Sequence, residues 1–176
     1  MPEDAADLKH HVDDVEFLEV KEEHLDEILE IYNYYVVNTT ATLHINPISR
    51  EKMRSIVLFE NPSYRTYVIC KQKSIRGYVT VTQYKNREAY DETGEVIIYL
   101  KPDCIGEGLG SLALQFIEKH AKEHSFHVLM AVVCDENKKS IKLFERNGYF
   151  KCGHYKEVGK KFDHYMDVVA FQKIIN

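Results

Sequence analysis

Hydrophobic and polar side chains alternate over residues 15–20, from Val15 through Phe17 to Val20, and this period of two predicts a strand. The rhythm then changes. Leu25, Ile28, Leu29, Tyr32, Tyr35 and Val36 recur every three or four residues, which places them on one face of a helix. Residues 39–45 are β-branched and read as extended, and Pro47 interrupts them. Ser49 can cap a second helix over residues 52–59, ending near Asn61 and Pro62. Strands are expected at 66–70 and 75–84, and another at 94–100 that Pro102 stops. Residues 108–123 predict a helix with Leu109, Leu112, Phe116 and Ile117 inward, and 128–133 an apolar strand of the fully buried kind. Asp135 or Asn137 can cap a further helix through Glu145, with Gly148 where a left-handed C-cap is wanted. Strands at 149–158 and 165–171 close the chain. Strands separated by helices in the middle, with adjacent strands at both ends, imply an α/β chain: a mixed sheet with helices on both faces.

A chain of 176 residues, 44% hydrophobic, can bury one good core but hardly two. Residues 1–14 are acidic and lack any stripe that could dock, so they read as a loose tail before a single domain at 15–176. The net charge of -5 and pI near 6.0 argue against nucleic acid or an anionic membrane as partner. A polyanionic ligand would need a locally built site. Cys70, Cys104, Cys134 and Cys152 are scattered and read as ordinary reduced thiols, with neither zinc nor a redox dithiol. No apolar run approaches the roughly 18–20 residues of a membrane span, and the polar start is not signal-like, so a cytoplasmic protein is expected.

The most suggestive local feature for chemistry is Cys104-Ile-Gly-Glu-Gly-Leu-Gly-Ser111, with glycines at alternate positions between a strand and an amphipathic helix. Such a turn leaves backbone N–H groups unpaired at a helix N-terminus, where about half a positive charge accumulates, so a pyrophosphate can bind with few lysines. The spacing matches neither the dinucleotide fingerprint nor the Walker loop. By itself it is also compatible with a tight strand-to-helix turn and nothing more.

Gly108 and Gly110 fall on the Q/R-x-x-G-x-G/A pattern, and the run from Asp135 through Asn137 and Ser140 to Gly148-Tyr149 on N-x-x-[AS]-x-x-L-[YH]-x-x-x-G-F. Arg87, Ala89, Tyr90, Thr93, Glu95 and Tyr99 follow R-x-A-Y-x-x-T-x-E-x-x-x-Y, and the stretch from Val158 to Val168 is similar to G-x-K-x-G-x-W-x-D-V. In these four ordered signatures the chain resembles the GNAT superfamily of N-acetyltransferases, in its phosphinothricin and methionine sulfoximine acetyltransferase branch. The likeness spans residues 15–174. It implies a mostly antiparallel sheet of about seven strands with one splayed parallel pair, into which the pantetheine of acetyl-CoA slots.

The resemblance also implies roles. The amides from Gly106 through Gly108, Leu109 and Gly110 to Ser111 would hold the pyrophosphate. Asn137 would bond the pantetheine, Ser140 would support it, and backbone groups of Ile98, Tyr99 and Leu100 would face the acetyl end. An amine attacking a thioester needs a base and an oxyanion donor; Glu95 is the candidate base, and a strand N–H the donor. Arg87 could fork onto an acceptor carboxylate, with Tyr90 lining the same pocket. The implied function is acetyl transfer from acetyl-CoA to the primary amine of a small amino-acid-like acceptor, without a metal and in a homodimer. Protein N-terminal or polyamine acetylation is an alternative, as is a catalytically weakened acyl-CoA sensor.

Three departures motivate that sensor. Ile105 stands where relatives carry arginine, and Glu107 brings negative charge to the turn unless it points outward or Lys101, Lys138 or Lys139 offsets it. Phe144 occupies the tyrosine or histidine position beside the cofactor sulfur and cannot donate a proton. It would serve only as an apolar cofactor contact. His120 and His124 sit four apart but lack a third ligand, so they read as surface histidines. Tyr34 and Tyr35 read as core or groove wall, and the resemblance makes Thr40 to His44 a wall of the acceptor pocket. The placement of Tyr99 is ambiguous.

Overall fold

In the computed structural model the described residues are 14–175. The expected tail lies outside them except for Asp14, which forms a turn. Strand β1 (Val15–Glu19) leads through a single 3-10 turn, Glu22–His24, into α1 (Leu25–Asn38), followed by α2 (Arg50–Val57). α1 buries Leu25, Ile28, Ile31, Tyr32, Tyr35 and Val36 on one face, with Ile31 in the place expected of Leu29, which is only partly buried. α2 starts where the Lys52 N–H donates to Ser49 Oγ at 3.1 Å, and it stops at Val57, short of the expected Phe59. Residues 39–45 do not form a strand. Thr39 instead turns its hydroxyl back to the Tyr35 carbonyl at 2.9 Å and accepts the Ala41 N–H at 3.1 Å, a local bonding that competes with any ladder.

The remaining elements are β2 (Arg65–Lys71), β3 (Ser74–Gln83), β4 (Thr93–Leu100), α3 (Leu109–Glu123), β5 (Val128–Cys134), α4 (Lys138–Arg146), β6 (Phe150–Lys161) and β7 (His164–Ile174). The seven strands form one sheet in the order β1-β2-β3-β4-β5-β7-β6. Every neighbouring pair is antiparallel except β4 with β5. This is the mixed, mostly antiparallel α/β architecture that the sequence implied.

Two apolar clusters cover the sheet. On one face Val79, Val81, Val96 and Leu129 pack against Leu109, Ala113, Leu114 and Ile117 of α3 and Phe144 of α4. On the other, Val68, Cys70 and Tyr78 pack against α1 and α2. Burying each of the larger aliphatic side chains contributes about 1.5–3 kcal/mol, so α3 and α1 hold the sheet from both sides. The α3 stripe buries Leu109 and Ile117 as expected, with Ala113, Leu114 and Ala121 in place of Leu112 and Phe116. Phe116 sits at its edge, stacked on Phe17 with centroids 4.3 Å apart. On the other face α1 meets the sheet at β3 and β4, so the cover there ends near β4.

Candidate active site

Strands β4 and β5 pair over only three positions, Thr93 with Val128, Gly94 with Leu129 and Glu95 with Met130. Beyond Glu95 they diverge. β4 stays in register with β3 as far as Leu100 opposite Gly77, and β5 with β7 as far as Cys134 opposite Val168. The facing edges are thus left without strand partners, and backbone groups on such edges must find bonds elsewhere. The wedge opens into a cleft of about 920 Å³ that passes through the sheet. It explains a failed expectation: β5 is not buried throughout, since Val132 faces the cleft and is 45% exposed.

On the α3 side the cleft floor is the glycine turn. Gly106 and Gly108 have φ of 92° and 80°, a region that costs any other L-residue strain. Gly108 is the N-cap of α3 and has no side chain with which to cap it. The N–H groups of Leu109, Gly110 and Ser111 are therefore free of capping, and Leu112 makes the first bond, to the Gly108 carbonyl at 3.3 Å. Gly110 is needed for a different reason: a Cβ there would come within 2.9 Å of Leu143 on α4. Close packing of α3 on α4 brings Asn147 Nδ2 within 3.0 Å of Ser111 Oγ. That hydroxyl accepts from Asn147, so its own proton remains available to an anion. Ile105 and Gly106 also line the cleft.

Glu107 does not oppose such an anion. Its carboxylate pairs with Lys71 at 3.2 Å. Of the lysines expected to offset it, Lys101 pairs with Glu27 at 2.6 Å and Lys138 with Asp135 at 3.3 Å. Asn137 lines the cleft, and its Oδ1 caps α4 by accepting the Ser140 N–H at 3.2 Å, which leaves its Nδ2 as the free polar end. Phe144 lines the cleft as well but is a core residue, 5% exposed, packed edge-on against Tyr149 at 5.2 Å. A phenyl ring offers no proton to this part of the cleft.

Residues on β4 alternate between the two faces of the sheet. Val96, Ile98 and Leu100 belong to the α3 cluster and Tyr99 to the α1 cluster, so Glu95 shares the face of Tyr99. Glu95 stands at the apex of the wedge, lines the cleft, and burial holds its carboxyl above the ordinary carboxylate range. Tyr99, left ambiguous by the sequence, is the centre of a tyrosine cluster, with the rings of Tyr32, Tyr35 and Tyr78 at 5.2, 5.3 and 5.7 Å. Burial pushes the Tyr35 hydroxyl up to about 12 and the Tyr99 hydroxyl higher. Both remain protonated donors: Tyr35 Oη donates to the Leu100 carbonyl at 2.5 Å and Tyr99 Oη to the Ala41 carbonyl at 3.4 Å.

The segment after α1 forms the outer wall on this face. Thr39, Thr40, Ala41, Thr42 and Leu43 line the cleft, whereas His44 does not; His44 instead hydrogen-bonds Tyr32 Oη, which also meets Thr42 Oγ1 at 2.7 Å. The wall is tied down by buried Lys161, whose ammonium donates to the Thr42 carbonyl at 3.0 Å. Tyr35 contributes to the cleft, but Tyr34 is 43% exposed and does not.

Glu95, Ile98, Tyr99, Leu100, Gly106, Gly108, Leu109, Gly110, Ser111, Asn137, Ser140 and Phe144 are therefore brought together around one cleft. Arg87 and Tyr90 are not among its lining residues. Arg87 is exposed at the start of a 3-10 turn, Glu88–Tyr90, and Tyr90 packs edge-on against Tyr84 at 5.7 Å with the Lys85 ammonium 5.5 Å from its own ring. His120, expected at the surface, is 7% exposed; it shares a hydrogen bond with Tyr67 Oη at 3.1 Å and meets the Ser63 carbonyl at 3.0 Å. Among the described residues no group of three or more His, Cys, Asp or Glu side chains could hold a metal ion, and no helix is long and apolar enough to cross a membrane. The sequence reading took the β5 strand as one side of the splayed pair without naming Val132, Val133 or Cys134 as site residues, and it missed Lys142 and Arg146 on α4. The basic i, i+4 spacing of the last two was the available signal.

A parallel pair splayed over an uncapped glycine turn, with a carboxyl group at the apex, is the frame of an acyl-group transferase. The Acetyltransferase (GNAT) domain family matches residues 19–170, and the chain belongs to that family; it is an N-acetyltransferase by kind. The chain is 32% identical over 156 residues to a phosphinothricin N-acetyltransferase of Streptomyces coelicolor, covering 86% of this chain and 91% of that protein. It is 30% identical to an L-methionine sulfoximine/L-methionine sulfone acetyltransferase of Pseudomonas aeruginosa, over 82% of this chain and 86% of the other. A crystal structure of a phosphinothricin acetyltransferase from Sinorhizobium meliloti in complex with AcCoA superposes with a TM-score of 0.86, at 26% identity, over 93% of this chain and 89% of that one.

Proposed function

We propose that the chain transfers an acetyl group from acetyl-CoA to the primary amine of a small, amino-acid-like acceptor. One observation carries this reading. The cleft crosses the sheet, with uncapped amides on the α3 face and Glu95 on the α1 face, so a thioester and an amine can approach each other from opposite sides. The residues present fit acetyl-CoA: free N–H donors at Leu109, Gly110 and Ser111 suit a pyrophosphate, and the unpaired edges of β4 and β5 suit the amides of an extended arm. When bound, the cosubstrate supplies an activated acetyl group. Glu95, its basicity raised by burial, accepts the ammonium proton directly or through water. Edge N–H groups of β4 beyond Glu95 stabilise the carbonyl oxygen as it gains charge. Phe144 supplies no proton, but a thiol with an ordinary pKa of about 8.5 can leave as the thiolate.

Arg87 and Tyr90 keep an acceptor role in this reading as rim groups, next to the strand that carries Glu95. The domain at 15–176 acts in the cytoplasm as a homodimer. In support of the dimer, Val132, Phe150 and Tyr155 are 45%, 53% and 51% exposed and share one face of β5, β7 and β6 by their register, a face that α1 and α2 leave bare.

A thiol-release assay with acetyl-CoA across a panel of amino acids, their sulfoximine and phosphinate analogues, polyamines and N-terminal peptides tests the reading. Turnover is expected with an amino-acid-like amine. CoA at a hundred times its Kd should stabilise the fold by about 2.7 kcal/mol, or roughly 5–10 °C for a chain of this size. Stabilisation without turnover on any amine would leave a sensor, and neither effect would remove the cosubstrate.

A further inference from the structure

The phosphate turn is short of cationic side chains. Residues 104–111 contain no Lys, Arg or His, and Lys71 beside them is engaged by Glu107. Coenzyme A, on the reading above that it occupies this cleft, carries a second anionic group besides its pyrophosphate: the ribose 3′-phosphomonoester, with about -1.5 to -2 charge at neutral pH. The turn has no cationic side chains to offer it.

The adjoining wall of the same cleft has them. Lys139, Lys142 and Arg146 line it from α4, and their spacing of three and four residues puts them on one side of that helix. All three are exposed. Lys71, Lys101, Lys138 and Lys173 each have a carboxylate within ion-pair distance. Among the described residues, none of these three does. The polar contact of the Arg146 guanidinium is Nε to the Lys142 carbonyl at 3.3 Å, which leaves its terminal nitrogens open. α4 stands directly against the turn: Leu143 is the neighbour that forbids a side chain at Gly110, and Asn147 reaches Ser111. The basic row thus begins beside the place where the pyrophosphate would sit and runs outward to solvent.

The geometry points to Lys139, Lys142 and Arg146 as a phosphomonoester subsite that reads the 3′-phosphate of the cosubstrate. It supplies the cations that Ile105 and Glu107 withhold from the turn. Exposed charge pairs are individually weak, so three together are expected to be worth about tenfold in affinity, and screened by salt.

Initial rates with acetyl-CoA and with 3′-dephospho-acetyl-CoA, on the wild-type chain and on the Lys142→Gln/Arg146→Gln double variant, test this. In the wild type the KM should be about tenfold higher for the dephospho thioester, and the ratio should shrink as KCl is raised. In the double variant the ratio should fall to within about twofold, because only the KM for acetyl-CoA rises. A wild-type ratio near one overturns the subsite without recourse to any variant. A ratio that survives in a variant with an unchanged melting temperature assigns the phosphate to other residues. An equal rise in both KM values assigns these cations to the pyrophosphate instead. Should neither thioester stabilise the protein or be turned over, the acetyl-CoA reading itself falls, a result distinct from the other three.

Discussion

Replacing Glu95 by Gln keeps the shape of the side chain and removes its ability to take a proton. A positioned general base contributes roughly 10²- to 10⁴-fold, so the variant should lose about 3–5 kcal/mol of transition-state stabilisation, at 1.36 kcal/mol per decade. The same burial that raises the pKa of this carboxyl has a stability consequence of fixed sign. A group whose pKa is raised in the fold contributes stability that is complete below its unfolded value and is lost as pH rises through its folded value. At pH 8 the ionised Glu95 therefore costs stability, and the neutral amide does not. The expected signature is a steep fall in kcat, an unchanged KM for acetyl-CoA, and a melting temperature at pH 8 that holds or rises. In the wild type, kcat/KM should fall on an acid limb lying above pH 4.5, the ordinary value for this group, and the limb should vanish from the residual activity of the variant. Thiol release followed from pH 5 to 9, with thermal melts of both proteins, measures all of this. Full turnover by the Gln variant, a persisting acid limb, or a melting temperature several degrees lower would each refute the assignment of Glu95 as base.

Gly108→Ala forces a side chain into a φ of 80°, at about 1–2 kcal/mol; it should lower the melting temperature by a few degrees and raise the KM for acetyl-CoA, read in the same assays. Burial lowers the pKa of His120, so its contribution is complete above the unfolded value of 6.5 and is lost as pH falls through the folded value. Melts between pH 5 and 7.5 should show that decline, and His120→Gln should flatten it. Phe144→Tyr returns a hydroxyl to the cleft wall and should raise kcat, most clearly below the thiol pKa of about 8.5, while lowering stability if the hydroxyl stays unpaired; kcat against pH for the two proteins checks it.

Most of the candidate cleft was legible because its lining is set by backbone shape. Gly106 and Gly108 announce a turn by composition, Asn137 is recognisable as a cap, and both perform locally what the sequence suggests. Arg87 and Tyr90 were harder, because side-chain type does not say whether an exposed turn faces a cleft. His120 misled for a related reason: its partners, Tyr67 and Ser63, are more than fifty residues away. The lysine that neutralises Glu107 likewise comes from β2, thirty-six positions earlier.

Local pattern determined most of the elements, their order, the glycine turn and the family to which they belong. Periodicity and capping are properties of neighbouring residues, and they survive without knowledge of the rest of the chain. The splay of a parallel strand pair was implied by the family resemblance; the tertiary structure alone decided that Val132 faces a void instead of the core, and that Lys139, Lys142 and Arg146 line the same cleft as the turn. Each depends on which distant strand or helix becomes a neighbour, and packing across the sheet settles that.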